Sequence, residues 1–169
     1  MTKNIAYEKY PVSIPLIAII LSLLTYLLGA YIISGFGIIF AIFYLIYCFG
    51  IELNIIVRSC KHCYYYGKLC GIGKGIVAPV FVKKGDAKKF TEMNVTFFQL
   101  LPDFLVGIIP IVASIILLYQ NFSIKLLGLL IILILLFFVG TALIRGKLVC
   151  KHCKQREIGC PADKLLNKK

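Results

Sequence analysis

The chain has 169 residues, 60% of them hydrophobic, and a formal net charge of +12. A soluble domain averages about 45–50% apolar residues, and here the excess falls in long blocks, so the composition indicates a membrane protein rather than one with a large water-soluble core. The Lys and Arg residues lie between or beyond these blocks, where such residues set topology and meet anionic lipid headgroups, and this placement argues against nucleic acid as a partner.

Four apolar stretches reach the length of about 20 residues that a helix needs to cross a hydrocarbon core of about 30 Å. None shows the two-residue alternation of a barrel strand, so we expect all four to be helices. In chain order they cover residues 14–33, 36–57, 97–118 and 124–144. The predicted fold is an all-α membrane protein with four transmembrane helices.

The connections and the charges predict how these helices are arranged. The links 34–35 and 119–123 are short, which predicts two tight helical hairpins separated by a long polar loop. Eighteen of the 19 Lys and Arg residues lie at the termini or in that loop, and only Lys125 lies on the other side. We therefore expect both termini and the loop to be inside, in the cytoplasmic (inner) membrane of a prokaryote.

A cysteine motif, C-K-H-C-x6-C, occurs twice, each time just after the second span of a hairpin. The six motif cysteines are Cys60, Cys63 and Cys70 in the loop and Cys150, Cys153 and Cys160 in the tail. Since both hairpins start on the same side, the sequence predicts two parallel repeats, each ending in a cytoplasmic cysteine knuckle. The repeats cover residues 1–75, with its knuckle at 60–70, and 96–169, with its knuckle at 150–160; residues 76–95 form a cytoplasmic or interfacial loop.

Each motif has the composition of a metal site. A C-x2-C turn directs two thiolates at one ion, and each copy adds a third cysteine and a histidine, His62 or His152, as in a structural Cys3His zinc site. Three thiolates also suit an iron–sulfur cluster with one iron open to another ligand. Disulfides are not expected on the reducing side of the membrane. Zinc, an iron–sulfur cluster, and thiol redox or transient metal handling stay open, as does a centre shared by both motifs.

Two acidic residues, Glu52 and Asp103, lie within the predicted spans, where ionisable groups usually face a partner or a cavity. At the helical rise, each lies roughly 8–9 Å below the same surface. Two other polar residues lie nearer that surface on the same helices, Asn54 and Gln99. One interpretation is a proton, ion or headgroup site beneath the cysteines. The other is that the acids snorkel or pair with Arg58 or Arg145 to fix helix packing.

The loop after Cys63 is rich in tyrosine, glycine and lysine. Tyrosines there suit the membrane interface, and the amides around Gly73, with Lys68 and Lys74, are a candidate anion site of the backbone-nest type. The alternative is a flexible turn around a metal knuckle. The apolar run 76–82 is too short to span a membrane, so we expect it to be interfacial or packed on the knuckle.

These motifs carry a resemblance to known proteins. The order of hairpin, C-x-H-C, hairpin and C-x-H-C, with CYYYGKLCGIGKG in the loop and REIGCPA in the tail, resembles a group of small uncharacterised prokaryotic four-helix membrane proteins over most of the chain. The chain differs from four-helix quinone-coupled thiol oxidases, whose cysteines work on the oxidising side.

The sequence thus favours an integral membrane metal-binding protein with two cytoplasmic sites for structural zinc. These would support a surface for anionic lipid headgroups or for a protein partner at the cytoplasmic cap. One alternative is a membrane electron-transfer protein with iron–sulfur clusters. Another is a lipid-headgroup enzyme that uses Glu52 or Asp103, although the sequence offers no recognisable nucleophile–base pair for it.

Overall fold

The computed structural model describes residues 6–92 and 96–161. This part of the chain is 79% helix without β-strands. It contains an isolated parallel β-bridge between Tyr7 and Cys153. Four of its helices are long and apolar enough to cross a membrane. The prediction of an all-helical protein with four candidate transmembrane helices is confirmed.

Seven α-helices follow one another along the described chain. They are α1 (Ser13–Ile33), α2 (Ile38–Arg58), α3 (Lys74–Phe81), α4 (Ala87–Glu92), α5 (Phe97–Gln120), α6 (Ile124–Ile134) and α7 (Lys154–Gly159). The long helices α1, α2 and α5 match the predicted spans to within a few residues at either end.

The fourth span is longer than predicted. Beyond α6 the helix continues in the wider π geometry over Leu135–Gly140 and Ala142–Val149, so it passes residue 144, where the apolar run ends in the sequence. Helical backbone keeps its polar groups bonded as it leaves the hydrocarbon core. Arg145, which follows the apolar run, is exposed on this extension, where a long basic side chain reaches water.

Helix α1 is at the centre of the bundle, since it packs against α2, α5 and α6. Its contact with α2 depends on Gly29, because a Cβ atom at this position would lie 2.6 Å from the hydroxyl of Tyr44. Small residues allow such close approach between helices in membrane proteins.

Tyr44 also joins α2 to α5. Its hydroxyl donates a hydrogen bond of 2.8 Å to the carbonyl of Val106. The regular helical donor to that carbonyl would be the amide at position 110, but Pro110 has no N–H. Tyr44 therefore satisfies a carbonyl that the proline leaves free, inside a buried cluster that also contains Cys48, the cysteine outside the motifs.

The outer faces of the long helices carry many exposed large apolar side chains, among them Phe43, Ile46 and Phe49 on α2. An exposed apolar surface that runs along whole helices is unfavourable in water and matches a hydrocarbon environment.

The short helix α3 packs against α2. Its Ala78 is completely buried, in a cluster with Ile56 at the end of α2 and Cys60 of the first motif. This agrees with the expectation that the apolar run 76–82 packs on the motif. A Pro in its last turn, Pro79, is tolerated in so short a helix.

Candidate functional site

Both cysteine motifs adopt the same local structure. Each C-K-H-C begins with a 3₁₀ turn at the end of a long helix, Cys60–His62 and Cys150–His152. In both copies the amide of the fourth residue donates to the carbonyl of the first, at 3.3 Å for Cys63 and 3.4 Å for Cys153. One sequence pattern thus gives one turn, twice, at the same end of the bundle.

The segment that precedes α1 ties the two motifs together. The amide of Tyr7 donates to the carbonyl of His152 at 3.0 Å, and the amide of Tyr10 donates to the carbonyl of Leu69 at 3.1 Å. The Tyr10 hydroxyl reaches the carbonyl of Val149 at 2.6 Å. Residues 6–12, 59–75 and 150–161 therefore form one unit, which we call the cap.

A cluster of tyrosines and cysteines forms the interior of the cap. Tyr10, Tyr65 and Cys70 are buried there, with Cys63 and Cys153 packed against them. One cysteine from the second motif and two from the first therefore share a single cluster. The sequence predicted only that the tyrosines suit an interface, and nothing in the pattern marked Tyr10 as a bridge between the motifs.

The hydroxyl of Tyr65 connects two segments of the cap. It donates to the carbonyl of Tyr7 at 2.5 Å and accepts from the amide of Lys154 at 3.0 Å. Gln155 makes a second such connection, since its side-chain oxygen accepts from the amide of Tyr64 at 2.7 Å and the residue is 3% exposed. Neither Tyr65 nor Gln155 was marked as a site residue by the sequence.

The glycine-rich segment is packed into the cap. Gly73 has a φ of +77° and lies against Ile19 of α1, where a Cβ atom would lie 2.8 Å from the Cδ1 of that isoleucine. Gly75 leaves no room for a Cβ beside the carbonyl oxygen of Tyr65, and its amide donates to the Cys70 sulfur at 3.2 Å. These contacts, rather than a free turn, explain the glycines.

Burial raises the pKa of two thiols inside the cap, Cys63 and Cys153. Burial raises the pKa of the Cys63 thiol to about 12, and among neighbouring thiols Cys153 adds most to the rise, ahead of Cys60 and Cys70. Burial also raises the pKa of Cys153, with a further contribution from Cys160. Because the thiolate is the reactive form, these buried thiols are poor nucleophiles.

The cap gathers the six motif cysteines without arranging them around one point. Among residues 6–92 and 96–161, no group of three His, Cys, Asp or Glu side chains lies close enough to hold a metal ion. Nδ1 of His62 is 2.9 Å from the carbonyl oxygen of Asp86, and the His152 ring lies against Tyr7 with centroids 5.0 Å apart. The predicted zinc and iron–sulfur centres stay predictions.

Below the cap, Glu52 on α2 has two partners. The Tyr26 hydroxyl of α1 donates to Oε1 at 2.5 Å, and Nζ of Lys74 lies 2.7 Å from Oε2. The basic partner of Glu52 is thus Lys74, at the start of α3, rather than Arg58 or Arg145. Lys74 is also part of the predicted anion site with Lys68 and Gly73, but its ammonium group is turned towards Glu52 in the bundle.

Asp103 belongs to the same region. The charged groups that influence it are Arg145, Lys74 and Glu52, so two acids and two bases from four segments of the chain are close together beneath the cap. Asn54 and Gln99 are exposed on their helices.

No family model, curated protein or solved structure matches this chain. Its function is therefore inferred from the geometry of the cap and of the charged groups beneath it.

Proposed function

We propose that this is a membrane metal-binding protein whose cap holds zinc through the two C-K-H-C-x6-C motifs. The observation that carries the proposal is the packing of Cys63, Cys70 and Cys153 in one buried cluster. Sulfur atoms from both motifs thus lie in one interior, and zinc prefers sulfur-rich sites.

The environment of the thiols fits this role better than thiol redox chemistry. A redox-active cysteine needs a lowered pKa, whereas burial raises the pKa of Cys63 and of Cys153. Zinc binding would replace the thiol protons, so affinity would fall at low pH. Each motif offers three sulfurs, and the fourth ligand would be the motif histidine, water or a group from the other motif. A hydrogen bond from Nδ1 of His62 to the Asp86 carbonyl would leave the Nε2 atom of that ring available to a metal. Metal binding requires the thiols to turn towards a common point.

We further propose that the molecule is built from two parallel repeats, each a helical hairpin followed by a cysteine knuckle, with the cap on the cytoplasmic side of a prokaryotic inner membrane. The identical turns after α2 and at the end of the fourth span support an origin by duplication. The 18-to-1 distribution of Lys and Arg supports the orientation. In this arrangement zinc stabilises the cap, which presents a surface to anionic lipid or to a protein partner.

The charged groups beneath the cap support a packing role more than catalysis. Glu52 is engaged by both Tyr26 and Lys74, so its two carboxylate oxygens link α2 to α1 and α3. For this reason we favour the packing role over a lipid-headgroup enzyme built on Glu52.

Metal analysis of the anaerobically purified full chain tests the proposal. We expect a colourless protein with about two zinc ions per chain, and a loss of zinc in the Cys63→Ser/Cys153→Ser variant. Cys48→Ser is the matched control, because Cys48 is buried among the helices rather than in the cap. Stoichiometric iron and sulfide would instead identify an electron-transfer protein, and metal content unchanged by the double substitution would refute the ligand assignment.

A further inference from the structure

Two ammonium groups in the cap approach the same aromatic ring. Nζ of Lys68 lies 4.3 Å from the ring centroid of Tyr64, and Nζ of Lys154 lies 5.4 Å from it. Lys68 follows the first C-K-H-C and Lys154 directly follows the second. The face of an aromatic ring attracts cations, but two like charges held near one ring repel each other, and a neighbouring anion offsets this repulsion.

One carboxylate offsets part of this charge. Glu8 accepts a hydrogen bond of 2.7 Å from Nζ of Lys154, and this bond, with a smaller contribution from Lys68, lowers the pKa of Glu8. In the described part of the chain no carboxylate lies within ion-pair distance of Lys68. The three side chains around Tyr64 therefore leave one positive charge without a counterion.

These residues lie close in sequence to the ends of candidate membrane spans, so we expect them at the level of the lipid headgroups. Tyr64 follows closely after the second candidate span, which ends at His62, and Lys154 follows closely after the fourth, which ends at His152. Glu8 precedes the first span, which begins at Ser13. Tyrosine and lysine at the ends of transmembrane helices are the side chains that meet phosphate groups in a bilayer.

We propose that Lys68 and Lys154, on either motif and beside Tyr64, bind the phosphate group of an anionic phospholipid. The lipid phosphate supplies the counterion that Glu8 supplies only to Lys154. Binding at this point would hold the two motifs together from the membrane side. The site requires no metal in the cap, so it stands or falls independently of the zinc proposal.

Lipid-dependent thermal stabilisation of the full chain in detergent tests this site. We expect phosphatidylglycerol to raise the unfolding midpoint more than phosphatidylcholine does. Lys68→Gln/Lys154→Gln should raise the phosphatidylglycerol concentration for half-maximal effect roughly 10-fold or more, since each lysine near a membrane surface contributes about 5-fold. Lys83→Gln/Lys84→Gln removes the same charge from two exposed residues of the loop and is the control. Equal responses of the two variants would overturn the proposal.

A second variant predicts a change of opposite sign. Glu8→Gln removes the competing carboxylate from Lys154, so half-maximal stabilisation should need roughly 2–5-fold less phosphatidylglycerol. Weaker or unchanged lipid binding in Glu8→Gln would contradict the site. Inorganic phosphate is the third probe: stabilisation by phosphate alone, with none by phosphatidylglycerol, would overturn the lipid as the source of the phosphate group.

Discussion

Nζ of Lys74 lies 2.7 Å from Oε2 of Glu52, which connects the cap to α2 inside the bundle. The lysine and glutamate side chains are 15% and 28% exposed. Lys74 is the first residue of α3 and follows Gly73, whose positive φ turns the chain towards α1. The glycine-rich segment is thereby fastened to the end of the membrane-spanning bundle rather than extending into the solvent.

Replacing Lys74 should destabilise the protein by leaving Glu52 without a cation. Lys74→Met should lower the free energy of unfolding by about 1–3 kcal/mol, less than the roughly 3–5 kcal/mol of a fully buried pair because both side chains retain some solvent contact. Denaturant unfolding in detergent measures this change. The Glu52→Gln/Lys74→Met variant should recover part of the loss.

The same substitution should also loosen the cap. Alkylation of Cys70, whose sulfur accepts the Gly75 amide next to Lys74, should become faster in Lys74→Met. Lys83→Met, at an exposed loop position, provides the comparison. If the two lysine variants unfold and react alike, the ion pair does not hold the cap.

Tyr44 should contribute to stability through its hydroxyl. Tyr44→Phe leaves the Val106 carbonyl without its donor, and Pro110 cannot replace it, so we expect a loss of about 1–2 kcal/mol. Tyr31→Phe removes a hydroxyl from a residue that is 67% exposed and should have little effect. Thermal unfolding of the two variants side by side measures the difference, and a similar midpoint for both would show that the bond to Val106 contributes nothing.

The buried thiols predict a dependence on pH in the metal-free protein. With a pKa of about 12, Cys63 should react with iodoacetamide far more slowly at pH 8 in the folded protein than in the denatured chain. Because the pKa of Cys63 is higher in the folded than in the unfolded protein, this thiol contributes to the free energy of unfolding. The contribution is complete below pH 9 and is lost as the pH rises from about 9 towards 12. Mass spectrometry of labelled peptides across a pH series measures the first effect. Equal labelling of Cys63 in the folded and the denatured protein at pH 8 would contradict the burial.

The orientation can be tested with Cys150, which is exposed. A membrane-impermeant maleimide should label Cys150 in chelator-washed inside-out vesicles and leave it unlabelled in intact cells, because the distribution of 18 of the 19 Lys and Arg residues predicts that the cap lies inside. Strong labelling of Cys150 from the outside of intact cells would reverse the assigned topology.

The membrane-spanning part of this fold could be predicted because its signals are local. Long apolar runs mark helices whatever their neighbours are, and the structure has four such helices near the expected positions. The end of the fourth long helix could not be predicted, because hydropathy reports where a chain leaves the hydrocarbon core and not where its helix ends. The π-helical extension over Ala142–Val149 continues past that point.

The partners within the cap could not be predicted, because they depend on contacts between distant parts of the chain. Glu52 and Lys74 are 22 positions apart with a turn between them, and Tyr10 meets Val149 across most of the sequence. The sequence identified Glu52 and Asp103 as unusual from their apolar surroundings alone. It could not identify Tyr26, since a tyrosine within an apolar run has no feature that distinguishes a hydrogen-bonding partner from a packing residue.

Cadmium titration of the chelator-stripped protein tests the zinc proposal most directly, because thiolate-to-cadmium charge transfer counts the sulfurs bound to each ion. The proposal predicts about three thiolates for each of about two bound ions, with the absorption lost in Cys63→Ser/Cys153→Ser and retained in Cys48→Ser. No thiolate–cadmium absorption in the wild-type protein, or absorption that survives the double substitution unchanged, would contradict a metal site in the cap.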